Sequence, residues 1–152
     1  MALATLATLG ITLPAAPKPI GSYVPAVRSG QLVFLSGQLP FIDGKLPEEY
    51  TGKLGYNVSV ETGQAAARQA VLNALAILDA EVGLAQVRRI VRLAGYVSST
   101  PIFSQQPAVL NGASELLVAV FGEAGIHARL ALGAPVLPLD ACLEIELIVE
   151  VA

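Results

Sequence analysis

The sequence has few of the residues on which disulfide frameworks, metal sites and charged surfaces depend. Its 152 residues include one cysteine, one histidine, one methionine and no tryptophan. A single cysteine cannot form a disulfide within the chain, and no Cys and His spacing typical of a structural zinc site is present. We therefore expect no metal and no cofactor. One hydrophobic core must stabilise the fold, and a chain of this length can bury about 70% of its unfolded surface.

Charge is also scarce. Charged residues make up 14% of the chain, whereas about a quarter is usual for a globular domain. We therefore expect part of the exterior to be buried against other copies of the chain. The net charge is −3, and only Arg88, Arg89 and Arg92 lie close together in the sequence, whereas a phosphate backbone needs several clustered cations. This distribution disfavours nucleic acid as a partner.

The sequence gives no sign of export or membrane insertion. The first seventeen residues carry no charged side chain, but they have no basic region, and Pro14 interrupts them, so we interpret residues 1–19 as a surface tail. Residues 20–152 then form a single domain. The longest uncharged stretch, residues 93–114, is too polar to span a bilayer. We expect no membrane partner and a cytoplasmic location.

Five segments have the composition and alternation typical of β-strands: residues 23–30, 31–40, 87–99, 127–133 and 141–151. Gly30 predicts a hairpin turn between the first two. In the last segment, apolar residues at the odd positions from Leu143 to Val151 alternate with more polar ones, which predicts one buried face. Residues 41–55 contain four glycines or prolines and much of the local charge, and are predicted to be an exposed loop.

Two segments have helical periodicity. Apolar residues recur every three or four positions over about 61–81 and again over about 107–121. Gly122 follows the second helix as a C-terminal cap would. The order β-β-α-β-α-β-β predicts an α+β fold, a mostly antiparallel sheet with two helices on one face. Because no segment remains to cover the other face, we expect a homo-oligomer that stacks sheet against sheet.

Few residues remain that could carry chemistry, because the common phosphate-binding, metalloprotease and serine-hydrolase motifs are absent. Arg129 lies in the apolar segment 124–137. A buried, unpaired guanidinium would cost several kcal/mol, so it needs an anionic ligand or a partner such as Glu144 or Glu146. A structural ion pair and a ligand clamp are equally consistent with this pattern, and the two glutamates could simply form a solvated strand face. By composition alone, His127 is a packed or interface residue and Cys142 a core residue.

The sequence resembles the YjgF-like, or Rid, family of reactive intermediate deaminases, whose members are also called L-PSP endoribonucleases. The resemblance is carried by GSYVPAVRSG at 21–30, VFLSGQLP at 33–40, HAR at 127–129 and LPLDACLEIE at 137–146. It covers residues 20–151 and includes an arginine and a glutamate fifteen positions apart. It implies a chorismate-mutase-like fold and a homotrimer with a pocket at each subunit interface.

The resemblance also implies a site. Arg129 would bind a substrate carboxylate, and Glu144 would orient or activate water for hydrolysis of 2-imino or enamino acids to 2-keto acids and ammonia. Further substrate contacts are implied at Tyr23, Ser36, Gly37, Asn111, His127 and Ala131. The chain departs from the family at Ser22 and His127, where proline is common, and at Leu130, where serine is usual. The loop at 41–57 and the segment NGASELLVAVFGEAG at 111–125 resemble a subgroup distinct from the well-studied RidA deaminases.

Two other functions remain open. The chain could bind small carboxylates such as 2-keto acids without catalysis, in which case Glu144 would be dispensable. Endoribonuclease activity or inhibition of translation is the third possibility, and the acidic balance argues against it.

Overall fold

The computed structural model describes residues 1–152, with three α-helices and five β-strands. The helices are α1 (Ala2–Thr8), α2 (Val60–Glu81) and α3 (Gln106–Phe121). The strands are β1 (Ala26–Ser29), β2 (Leu32–Leu35), β3 (Val87–Ser98), β4 (Ala128–Ala134) and β5 (Leu143–Val151). The two helices and five strands predicted from the sequence are confirmed, and so is the hairpin, in which Ser29 pairs with Leu32 and Gly30 has a φ of 62°.

The five strands form one sheet in the order β1-β2-β5-β3-β4. Three of the four strand pairs are antiparallel, as predicted, but β4 runs parallel to β3. The parallel pair arises because α3 connects β3 to β4, and a helical crossover returns the chain in the same direction. The sheet is therefore mixed.

The last strand lies in the centre of the sheet, between β2 and β3. Its odd-numbered side chains, from Leu143 to Val151, are at most 1% exposed, whereas Glu144, Glu146, Ile148 and Glu150 are half-buried. The predicted alternation is confirmed. We call the surface that carries these even-numbered residues the open face, and the opposite surface the helix face.

Helices α2 and α3 both pack on the helix face, α2 against β5 and α3 against β3. The Ser59 side chain caps α2 by accepting a hydrogen bond from the Thr62 amide at 3.1 Å. Gly122 ends α3 with a φ of 60°, as predicted. The two helices approach most closely at Gly112, where a Cβ atom would overlap with the backbone carbonyl of Gln64.

The N-terminal segment is not entirely a surface tail, which corrects the sequence-based interpretation. Residues 2–8 form α1, which packs against α3, and Leu6 is only 2% exposed. The absence of charge in this segment therefore reflects contact with the core. No helix in the structure has both the length and the apolar character needed to cross a bilayer.

The segment 41–55 is also more buried than predicted. Tyr50 and Leu54 belong to the hydrophobic core. The Leu54 amide donates to the Ser98 carbonyl at 2.9 Å, and the Cys142 amide donates to the Tyr50 carbonyl at 2.8 Å. These backbone bonds attach the second half of the segment to the ends of β3 and β5. Cys142 itself is fully buried, as predicted, and burial raises the pKa of its thiol to about 12.

The close contact at Gly112 leads to a prediction about the free energy of unfolding. Gly112→Ala should lower the free energy of unfolding by about 1–3 kcal/mol, because the new methyl group meets backbone atoms that cannot move aside. Gly63→Ala is the matched control, since a Cβ there meets the side-chain ends of Val109 and Leu54 at 3.0 and 3.3 Å. The gain of about 1 kcal/mol in helix propensity should offset that smaller strain. Urea denaturation of both variants is the measurement, and equal stability would contradict the prediction.

Candidate functional site

A cavity of about 390 Å³ brings together four of the residues that the family resemblance implicates: Tyr23, Ser36, Gly37 and Glu144. It lies between the segment that precedes β1, the residues that follow β2, and the start of β5. Most of the other side chains that line it are apolar, including Ile20, Leu39, Phe41 and Ile77. Lys18 also lines it and is exposed.

Local hydrogen bonds fix the polar wall of this cavity. The Ser36 hydroxyl donates to the Val24 carbonyl at 2.6 Å, and the Ser36 amide donates to the Pro25 carbonyl at 2.9 Å. The Tyr23 hydroxyl accepts from the Ile20 amide at 3.3 Å. The Ser36 oxygen therefore keeps lone pairs that could accept a hydrogen bond from a ligand, and Tyr23 keeps its hydroxyl proton as a donor.

Glu144 lies directly beside Gly37. A Cβ atom built on Gly37 would overlap with Glu144 Oε1 and would come within 3.0 Å of Glu144 Cδ. Backbone bonds between Gln38 and Ile145, of 2.7 and 3.0 Å, hold the two segments together here. A side chain at position 37 would therefore displace the carboxylate from this place.

Burial raises the pKa of Glu144, and the negative charge of Glu146 on the same face raises it further. A carboxyl group with a raised pKa exchanges protons closer to neutral pH than an exposed one does. The cavity therefore contains one group suited to general acid and base chemistry.

A second polar cluster lies at the other end of the sheet, around β4. Arg129 Nη1 donates to Asn111 Oδ1 at 2.8 Å and to Ser114 Oγ at 3.3 Å. His127 Nε2 lies 2.9 Å from Ser114 Oγ, and His127 Nδ1 lies 2.6 Å from the Gly125 carbonyl oxygen. We call Asn111, Ser114, His127 and Arg129 the arginine cluster.

The surroundings of Arg129 differ from the sequence-based expectation. Its hydrogen-bond partners are neutral oxygens, not Glu144 or Glu146 as in the ion-pair alternative, and its side chain is exposed in the single chain. Only Nη1 makes hydrogen bonds, so Nε and Nη2 remain available as two parallel donors. Such a fork matches the geometry of a carboxylate.

Within one chain, the side chains of Arg129 and Glu144 lie on opposite faces of the sheet. Arg129 pairs with Leu93 of β3, which pairs with Leu147 of β5 on the helix face. Glu144 is three positions from Leu147 and belongs to the open face. The sheet therefore separates a small molecule bound to Arg129 from Glu144 of the same chain.

Two residues near these groups were not selected from the sequence. Ser114 follows Asn111 by three positions, a spacing that places both on one side of α3 and could have indicated it. Lys18 had no such signal. Ala131, predicted to contact substrate, packs against the core on the helix face and does not line the cavity. No group of three His, Cys, Asp or Glu residues is arranged to hold a metal ion.

The fold and these two groups define an α+β domain with a free guanidinium and a half-buried carboxylate. Residues 4–151 match the family model described as "YjgF/chorismate_mutase-like, putative endoribonuclease". The chain belongs to this YjgF-like family.

Individual proteins are similar to this chain over most of its length. The chain is 45% identical to Protein TCP17 of Trypanosoma cruzi over 149 residues, covering 97% of this chain and 92% of that protein. The crystal structure of Atu1372 from Agrobacterium tumefaciens, described as of unknown function, matches with 42% identity and a TM-score of 0.91, covering 99% and 92% of the two chains. E. coli TdcF with bound serine matches with 26% identity and a TM-score of 0.64, covering 90% and 94%.

Because the pKa of Glu144 is raised, replacing this residue should increase the stability of the folded chain in a pH-dependent way. Because the folded state disfavours the ionised carboxylate, the contribution of Glu144 to stability is complete below the unfolded pKa of about 4.3 and is lost as the pH rises through the folded pKa. In the single chain, at a concentration low enough to dissociate any assembly, Glu144→Gln should therefore raise the melting temperature at pH 7 but not below about pH 4.

Thermal unfolding at several pH values measures this difference. Glu123→Gln, an exposed position after α3, is the control and should leave the melting temperature unchanged at every pH. A lower melting temperature for Glu144→Gln at pH 7 would contradict the prediction.

Proposed function

We propose that the chain hydrolyses reactive 2-imino or enamino acids to 2-keto acids and ammonia, in a pocket completed by two copies of the chain. The observation that carries this proposal is the pair of groups on opposite faces: a guanidinium with two free donors, and a half-buried carboxylate with a raised pKa. Membership of the YjgF-like family supports it, as does the E. coli relative that holds serine, a small molecule with a carboxylate and a nitrogen.

Each group has a role in this reaction. Arg129 binds the substrate carboxylate through Nε and Nη2, which fixes the imine carbon over the cavity of the neighbouring copy. Ionised Glu144 takes a proton from water as the oxygen adds to the C=N carbon. The protonated Glu144 gives this proton to the nitrogen, which completes a carbinolamine. Glu144 then takes the hydroxyl proton of the carbinolamine and passes it to the nitrogen, so that the C–N bond breaks, the C=O bond forms and ammonia leaves. The apolar walls strengthen both electrostatic interactions.

The other residues of the cavity orient the substrate and the water. The Ser36 oxygen can accept a hydrogen bond from the substrate nitrogen, and the Tyr23 hydroxyl can donate one to the water or the substrate. Gly37 leaves the space that the Glu144 carboxylate occupies. The apolar side chains then receive the substrate side chain.

We further propose that the assembly is a homotrimer. Apolar residues of the open face, Val27, Phe34 and Leu132, are 56%, 43% and 45% exposed in the single chain. Burying them against other copies would remove apolar surface from water and bring each arginine cluster to a neighbouring cavity. Light scattering should then give three times the chain mass of 15.7 kDa.

Binding of 2-keto acids without catalysis is the second candidate, favoured by the exposed guanidinium fork alone. It differs from the deaminase in making Glu144 dispensable. The description of the family also mentions an endoribonuclease. The net charge of −3 does not favour binding of RNA, so we do not propose RNA cleavage.

Substitutions at the two groups separate the candidates. Arg129→Ala should abolish turnover of imino acids produced by an L-amino-acid oxidase, and Arg129→Lys should restore little, because an ammonium cannot make two parallel hydrogen bonds. Glu144→Gln should lower turnover by about 10²- to 10⁴-fold while 2-oxobutanoate still binds. Arg68→Ala, an exposed arginine on α2, is the matched control. Ammonia release is the measurement. Full activity of Glu144→Gln would exclude Glu144 as the proton carrier, and a wild type that releases no ammonia would leave only the binding function.

A mixing experiment tests the proposal that each pocket is shared between copies. Arg129→Ala and Glu144→Gln should each be inactive alone. When equal amounts are unfolded and refolded together, about a quarter of the pockets combine an intact arginine with an intact glutamate from different copies. Activity should therefore recover to about a quarter of the wild-type value. No recovery, with mixed trimers shown by mass spectrometry, would mean that both groups act from one chain.

A further inference from the structure

The arginine cluster contains a side chain without a role in the proposed reaction, His127. It lies just before β4 and is connected to Arg129 by two hydrogen bonds through Ser114. These run from Arg129 Nη1 to Ser114 Oγ, at 3.3 Å, and between Ser114 Oγ and His127 Nε2, at 2.9 Å. Ser114 and His127 are both half-buried.

The chemistry of the partners determines the direction of each hydrogen bond. The Gly125 carbonyl oxygen can only accept, so His127 Nδ1 must carry a proton. In a neutral imidazole, Nε2 then has a lone pair and accepts from the Ser114 hydroxyl. The Ser114 oxygen in turn uses a lone pair to accept from Arg129 Nη1. Every donor in this series of hydrogen bonds therefore has an acceptor.

The far end of this chain of bonds is attached to a rigid part of the fold. Gly125 is buried, and a Cβ atom there would approach the backbone carbon of Leu117 to 2.8 Å. Asn111 Oδ1 takes the second hydrogen of Arg129 Nη1. Both hydrogens of Nη1 are thus held by α3, while Nε and Nη2 remain free.

We infer that His127 and Ser114 are positioning residues, which hold the guanidinium of Arg129 in the orientation that binds a carboxylate. This inference rests on the proposed function, because it assigns the orientation to substrate binding. An exposed arginine samples many rotamers, and fixing one before the ligand arrives improves affinity. His127 acts through Ser114 and does not itself touch the substrate, which differs from the direct contact that the resemblance implied.

The first test is binding of 2-oxobutanoate, measured by calorimetry. Ser114→Ala and His127→Ala should each weaken binding by about 2- to 12-fold, the range for losing one hydrogen bond. In turnover assays, KM should rise while kcat changes little, because the orientation serves ground state and transition state alike. His127→Gln keeps an acceptor for the Ser114 hydroxyl and should restore most of the affinity. Glu115→Gln, an exposed neighbour on α3, is the control.

The second test reads the hydrogen bonds directly. His127 is the only histidine in the chain, so the ¹⁵N signals of a labelled imidazole need no assignment. In slightly alkaline buffer, Nδ1 should be protonated and Nε2 should be a hydrogen-bond acceptor. Adding 2-oxobutanoate should shift the Nε2 signal in the wild type but not in Ser114→Ala or Arg129→Ala. A role limited to packing would produce no such coupled shift.

The inference would be overturned by a proton on Nε2 in place of Nδ1, by unchanged affinity in Ser114→Ala, or by a wild type that does not bind 2-oxobutanoate. Failure of the proposed function is distinguishable from these outcomes. If the wild type binds 2-oxobutanoate with the expected imidazole signals but releases no ammonia from imino acids, deamination is wrong and the positioning of Arg129 stands.

Discussion

The alternation of side chains along β5 determines both the core and the candidate site. Because β5 pairs with β2 on one side and β3 on the other, its side chains can point only to the helix face or to the open face. The apolar residues at odd positions form the centre of the core, and Glu144 is placed two residues from Glu146 on the opposite surface. Arg129 of β4 pairs with Leu93 of β3, which pairs with Leu147 of β5, so the same alternation places Arg129 on the helix face. Separation of acid and guanidinium thus follows from strand geometry.

The parts of the fold that could be predicted are those with local signals. Helices α2 and α3 and the two faces of β5 follow from periodicity within each segment, and the turn at Gly30 follows from the glycine between two short strands. The parallel pairing of β4, the packing of α1 and the burial of Leu54 depend on contacts between distant segments, which periodicity does not record. At the site, the resemblance grouped residues that occupy two separate places, because a list of residues carries no information about faces. Ser114 was missed although its spacing from Asn111 places both on one side of α3, because its contacts with His127 and Arg129 join distant segments.

A half-buried carboxylate beside a second one lowers the stability of an isolated chain, yet the sequence retains both. The low charge content, the exposed Phe34 and the uncompensated Glu144 share one physical explanation if the open face is covered in the working protein. Burial of that face would supply apolar contacts and opposite charge together. Folding, association and formation of the site would then be coupled, and dilution would affect all three at once.

The burial of Cys142 has a practical consequence. With its pKa raised to about 12 and its side chain inaccessible, the only native thiol remains protonated and is protected from alkylating reagents at neutral pH. A cysteine introduced at an exposed position would therefore be the sole site modified by a maleimide in the folded protein. Fluorophores or spin labels could be attached to single chosen positions without first replacing the native residue, and distances between labels could be measured in solution.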